Sequence, residues 1–119
     1  MIIADTNVWV SFLKGEKKAF LLKDMIIENE VILHPYIYGE LLLGGIAQKV
    51  VPLLQSLETL SITDEQIVYY FIMKNKMQNR GIGWVDVNLL VSALSEKHRI
   101  FTFDANLAVI CKEFKCHID

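Results

Sequence analysis

Every apolar run in this chain is short, and helical patterns lie between the runs. IIAD at 2–5, VILH at 31–34, TLSI at 59–62 and IFTF at 100–103 have the length of buried strands. TNVWVSFLK from Thr6 reads as a helix that Asp5 or Thr6 can cap. KKAFLLKDMIIE at 17–28 places Phe20, Leu21, Met25 and Ile26 on one helical face. Pro35 opens PYIYGELLLG, which stops at Gly44-Gly45, and 46–57 reads as a further helix around Pro52. Thr63 and Gln66 have the spacing of a capping box that starts a helix running to about Asn79. RGIGW at 80–84 breaks the chain, VDVNLLVSALSEKH and DANLAVICKEF are helical, and KCHI adds a final edge strand. Strands alternating with helices build a parallel sheet covered on both faces. The expected fold is therefore α/β, a central parallel sheet of about five strands sandwiched by helices. At 119 residues and 53% hydrophobic composition, positions 1–119 suit one domain with its own core.

The charge balance excludes one class of nucleic-acid partner. A net charge of -2 and a pI near 5.9 do not suit a protein that coats nucleic acid by bulk charge. An enzyme with local positive charge stays within bounds. Met1–Val10 lacks the basic start of a signal peptide, and no apolar run approaches the roughly 20 residues of a membrane span, so a cytoplasmic protein without membrane association is expected. Cys111 and Cys116 then read as reduced thiols, and with His117 they fall one ligand short of a zinc site. His34, His98 and His117 are isolated from one another and read as solvated or hydrogen-bonded side chains.

Most acidic residues sit on polar stretches, but four do not. Asp5 abuts IIA, Glu40 lies inside YIYGELLLG, Asp86 opens the apolar helix of GWVDVNLLV, and Asp104 follows IFTF. In parallel α/β sheets, ligands bind beyond the carboxyl ends of the strands, and Asp5 and Asp104 fall there. Each acid alone has a structural reading: Asp5, Asp86 and Asp104 as helix caps, Glu40 as an outward helical residue. Four together favour a site, because buried carboxylates need a partner or a cation. Oxygen ligands without Cys or His select hard ions, Mg²⁺ or Mn²⁺. Such ions serve phosphodiester hydrolysis. No phosphate-binding GxxxxGK[ST] loop, GxSxG elbow or HExxH helix competes.

Four segments, ADTNVWVSFLKG, GELLLG, GIGWVDVNLLVSAL and IFTFDANL, together resemble the PIN domain, and among PIN domains the VapC-type toxins of bacterial toxin–antitoxin pairs. The resemblance runs from residue 2 to about 113. It implies a single PIN-like ribonuclease domain with Asp5, Glu40, Asp86 and Asp104 gathered around Mg²⁺ or Mn²⁺. It further implies endoribonuclease activity with transfer RNA a frequent target, inhibition by a cognate antitoxin, and a homodimer. Thr6, Asn7 and Thr102 would support the acids. The mean hydropathy of +0.35 suits a chain that hides surface in an interface.

Three other readings compete. A phosphatase using Asp5 lacks its second acid, because position 7 is Asn, and a receiver domain lacks an adjacent acidic pair. A non-catalytic PIN-fold module that binds RNA or protein would keep the fold without the reaction. For RNA contacts, Lys14, Lys17, Lys18, Lys74, Lys76 and Arg80 are the candidate cations. Lys74, Lys76 and Arg80 rank first because they precede the glycine break before Asp86.

Overall fold

Strand β1 (Ile2–Ala4) is buried throughout, so both of its faces are covered, as a central parallel strand requires. In the computed structural model, which describes residues 1–118, β1 pairs in parallel with β4 (Arg99–Phe101), Ile2 opposite Arg99 and Ala4 opposite Phe101. β2 (Ile32–Leu33) pairs in parallel with β3 (Glu58–Thr59). A bridge from Ile2 to Val31 joins the two pairs, and another from Ile100 to His117 adds a fifth row at the far edge. The order is β3, β2, β1, β4 and then His117, all parallel, which is the expected sheet in shortened form. Seven helices surround it among the described residues: α1 (Thr6–Leu13), α2 (Phe20–Ile27), α3 (Pro35–Leu43), α4 (Val51–Ser56), α5 (Glu65–Lys74), α6 (Trp84–Glu96) and α7 (Ala105–Glu113).

The strands are too short for their hydrogen bonds to carry the fold, so packing does. Trp9 of α1, Leu22 of α2, Ile37 and Leu41 of α3, Leu89 of α6 and Leu107 of α7 are all fully buried against the strands. Each such side chain contributes about 1.5–3 kcal/mol relative to staying exposed. A smaller cluster, Val68 with Val87 and Val91, fastens α5 to α6.

Several local expectations shift. On 17–28 a 3-10 turn (Lys17–Ala19) precedes α2, and Leu22 faces the core while Phe20 and Leu21 face out. On 46–57 a 3-10 turn (Gln48–Val50) leads into α4, with Pro52 in its first turn. A missing N–H costs little there, which is why proline fits. The third strand lies one residue earlier than TLSI. Asp64, not Thr63, caps α5, accepting from the Gln66 N–H at 2.8 Å; the Thr63 hydroxyl faces Ser92 instead. That helix ends at Lys74 rather than near Asn79, because Lys76 and Asn79 take left-handed conformations that fold buried Met77 back onto the body.

The segment from 75 to 83 is tied at two points to α7. Arg80 donates two hydrogen bonds to Glu113, at 2.8 and 2.7 Å. Asn106 donates to the Gly81 carbonyl at 3.3 Å. Gly81 has φ +78°, and a Cβ there would collide with the Asn106 amide. Gly81→Ala is therefore expected to lower stability by about 1–3 kcal/mol through backbone strain and the loss of that tie. Thermal melts of the variant measure it; an unchanged melting temperature would mean that the turn re-forms around the methyl group.

Candidate active site

Of the helices that start on the carboxyl side of the sheet, α1, α6 and α7 carry an acid at the cap or in the first turn. The Asp5 N–H donates to the Phe101 carbonyl at 2.8 Å, one step beyond β1, and the chain turns directly into α1. Asp5 Oδ1 caps that helix by accepting from the Thr6 N–H at 2.8 Å. Asp104 follows β4 and caps α7, accepting from the Leu107 N–H at 2.8 Å. Asp86 sits in the first turn of α6 and accepts from the Gly83 N–H at 3.1 Å. Gly83 has no side chain to reciprocate, so this is the return half of a capping box. Glu40 arrives from the middle of α3, where its Oε1 accepts from the Thr6 hydroxyl at 2.6 Å.

All four acids line one open cavity of about 710 Å³. Thr6, Asn7 and Thr102 hold its framework. The Thr102 hydroxyl donates to Asp5 Oδ2 at 2.7 Å and accepts from the Asp104 N–H at 3.0 Å, so one side chain sets the spacing of the two strand-end acids. Asn7 donates to Asp5 Oδ2 at 3.3 Å and accepts from the Phe103 N–H at 3.1 Å. Among the described residues, Glu40, Asp86 and Asp104 each keep one carboxylate oxygen without a protein donor.

The acids feel one another. Burial pushes the Asp5 carboxyl above its ordinary value, Thr102 and Thr6 pull it back, and the charges of Glu40 and Asp104 raise it again. Burial also raises Asp86, aided by Asp5, Asp104 and Glu40 and opposed by the Gly83 N–H. Both folded carboxyls hold protons more tightly than in the unfolded chain. Their contribution to stability is therefore lost as pH rises through the window above 3.8. No three Asp, Glu, His or Cys side chains among the described residues close around one point as a ready cage. Mg²⁺ does not require one, since it is usually bound by one or two carboxylates and keeps several waters. An oxygen-only donor set around an open cavity fits such an ion.

The PIN domain family profile matches residues 2–113, from β1 to the end of α7. The chain belongs to the PIN domain family. It is also 34% identical over 116 residues, covering 95% of this chain and 92% of the relative, to the protein named Ribonuclease VapC32 in two strains of Mycobacterium tuberculosis, CDC 1551 / Oshkosh and ATCC 25618 / H37Rv.

In this PIN domain the cations lie elsewhere than their order in the sequence suggests. None of Lys14, Lys74, Lys76 and Arg80 lines the acidic cavity. Lys14 lines a neighbouring apolar groove that shares Thr6, Val10 and Glu40 with it. The Lys74 ammonium lies 5.7 Å from the Tyr70 ring on α5, and Lys76 is exposed beyond it. Arg80 is engaged by Glu113. Lys18 is, among the described residues, the Lys or Arg that does line the cavity, 4.9 Å from the Phe103 ring centre. Ser11, Glu16 and Trp84 also line it and were not singled out by pattern. Trp84 carried the best available signal, since it stands between the glycine break and Asp86.

His34 follows β2 and is fully buried, with Nδ1 accepting from the Tyr36 N–H at 3.0 Å as the cap of α3. Burial pushes its imidazole down to about 4, so it is a neutral structural cap. Cys111 and Cys116 are buried in the core, where the neighbouring Cys116 thiol and burial push Cys111 up.

Asp86→Asn keeps the shape of the cap and removes one repelling charge. At neutral pH without metal it is expected to melt a few degrees above the parent, and the gain is expected to vanish as pH falls towards about 4. Melting curves of both proteins across that range decide it. A variant melting equal to or below the parent at every pH would show that Asp86 carries no repulsion in the fold.

Proposed function

We propose that this chain is a metal-dependent endoribonuclease, the toxin of a bacterial toxin–antitoxin pair, acting in the cytoplasm as one PIN-like domain over residues 1–119. The observation that carries the reading is the gathering of Asp5, Glu40, Asp86 and Asp104 around one cavity at the carboxyl side of a parallel sheet. Likeness to a protein named as a ribonuclease over nearly the whole chain supports it. Transfer RNA is the substrate proposed from the family resemblance.

Asp5, Asp86 and Asp104, with Glu40, would hold Mg²⁺ or Mn²⁺. Bound there, the ion supplies a Lewis acid, a more acidic water and charge stabilisation for the leaving oxygen. The chain's own residues do the rest. Thr102 fixes the separation of Asp5 and Asp104, and Thr6 holds one Glu40 oxygen so that the other faces the attacking water. Glu40 takes the proton that this water loses as its oxygen bonds to phosphorus and the bond to the leaving ribose oxygen breaks. Lys18 meets a substrate phosphate at the cavity, and Lys14 continues the path beyond Glu40. Lys74 and Lys76 are more distant contacts, and Arg80 joins them at the cost of its pairing with Glu113.

A cognate antitoxin and a second copy of the chain are the proposed protein partners. Leu42 and Leu43, adjacent at the end of α3 with Leu43 91% exposed, are apolar side chains that a protein partner would cover. No helix of the described residues is long and apolar enough to cross a membrane.

Purified protein is expected to cut transfer RNA with Mn²⁺ or Mg²⁺ and to stop in excess EDTA. Glu40→Gln and Asp86→Asn are expected to lose cutting by at least about a hundredfold while melting as folded proteins. Undiminished cutting in EDTA, or by both variants, would sink the assignment. Metal-dependent RNA binding without cutting would point instead to a non-catalytic binding module. Lys18→Ala is expected to weaken RNA affinity and to flatten its salt dependence by about 0.7 in logarithmic slope. An unchanged slope would place Lys18 on an ordinary solvated face.

A further inference from the structure

The reaction as described leaves the large aromatic side chain beside the acids without a task. Trp84 opens α6, two residues before Asp86. It is 41% exposed, whereas Trp9, the other tryptophan, is fully buried. What sets Trp84 apart is its place, at the rim of the acidic cavity rather than in the core. Trp84 lines the acidic cavity and also a second cavity of about 200 Å³, whose lining residues include Gln78 and Asn79.

The indole is also held. Tyr69 of α5 backs it, with ring centres 5.6 Å apart and planes at 44°. The chain leading into it is fastened to α7 by the bonds of Arg80 to Glu113 and of Asn106 to Gly81. A fixed, half-exposed aromatic next to phosphodiester chemistry matches what unpaired nucleobases stack on. Bases inside a duplex have both faces occupied by their neighbours and cannot use such a platform. The cavity beyond Trp84 offers amide donors and acceptors for the polar edge of a base.

We propose that Trp84 is a stacking platform for an unpaired nucleobase adjoining the bond to be cut, with Gln78 and Asn79 facing that base's edge. This rests on the ribonuclease reading above, and it assigns Trp84 to substrate binding rather than to the chemical step.

Tryptophan fluorescence of the full chain tests it, because Trp84 is the exposed one of the two emitters. A mixed-sequence single-stranded RNA octanucleotide, its blunt duplex, and the same strand made abasic are titrated in Ca²⁺, which neutralises the acids. The intact single strand is expected to quench the emission, and the duplex and the abasic strand to leave it unchanged. Trp84→Ala, if its melting is unchanged, is expected to bind the single strand about tenfold more weakly, and Trp84→Phe to stay within about threefold of the parent. With Mn²⁺, Trp84→Ala is expected to raise KM and largely spare kcat.

Quenching that persists in a parent unable to cut RNA removes the ribonuclease reading and keeps the base platform. Cutting by the parent, with no quenching and equal affinity in Trp84→Ala, keeps that reading and overturns the platform. Altered self-association of Trp84→Ala by light scattering, with RNA affinity unchanged, also overturns it and assigns the indole to a protein interface. Should Trp84→Ala fail to fold, the parent's response to intact and abasic strands decides alone.

Discussion

Carboxylates repel, and the fold brings four of them to one cavity; much of the surrounding architecture offsets that repulsion. Asp5 shows how. Its carboxylate accepts from the Thr6 N–H, the Thr102 hydroxyl and the Asn7 amide, so a side chain that burial would neutralise is supplied with donors from two elements. The start of a helix carries partial positive charge and unpaired N–H groups, worth roughly 0.3–1 kcal/mol to a nearby anion. Three helix starts, of α1, α6 and α7, point into the same space, each with an acid in its first turn or at its cap. The donors do not cancel the cost, since Asp5 and Asp86 stay raised. Under the proposed function, a bound cation would offset the charge that the helix starts leave uncompensated.

This arrangement was partly legible in the residues. An acid that ends an apolar run, as in IIAD and IFTFD, has few places to go except the carboxyl edge of a strand, and both acids are found there. The alternation of runs was enough for a parallel sheet, because short buried strands and intervening helices leave few other packings. What pattern did not reveal depends on partners distant in sequence. Thr63 and Asp64 are both competent caps, and the choice turns on Ser92 lying across from the threonine. The helix from Glu65 was read too long because nothing local marks left-handed Lys76 or the inward turn of Met77. Arg80 looked like a free cation until Glu113, 33 residues on, was found opposite it. Lys18, a candidate for RNA contact that ranked behind Lys74, Lys76 and Arg80, lines the acidic cavity.

The glycine break before Asp86 illustrates how a polymer segment without regular structure sets a site. Its Arg80 is held by the last residue of α7 and its Gly81 by Asn106 in the first turn of the same helix, so both ends of α7 are bound to the chain that launches α6. Asp104 caps α7 and Asp86 lies in the first turn of α6. The two ties therefore hold the distance between two of the acids, without any of their atoms being in the cavity themselves. Arg80, paired with Glu113, bears on the site through the placement of the chain that launches α6.

The structural and chemical readings of Asp5, Asp86 and Asp104 are not alternatives, and that bears on how their roles are separated. A cap needs one acceptor oxygen, whereas cation binding needs the charge and a second oxygen. Asn retains the first and lacks the charge; it is among the best capping residues, while Ala loses about 1 kcal/mol at such a position. An alanine scan of this cavity would confound a frayed helix with a lost ligand. At Asp86 and Asp104 a single oxygen serves the cap and the other has no donor among the described residues, so asparagine isolates the charge cleanly. At Asp5 both oxygens are engaged, and the amide of asparagine would face the Thr102 hydroxyl or the Thr6 N–H with a donor. Loss of function there carries a packing component that the other two positions lack. Asp86 and Asp104 are therefore the positions where electrostatics can be read apart from architecture.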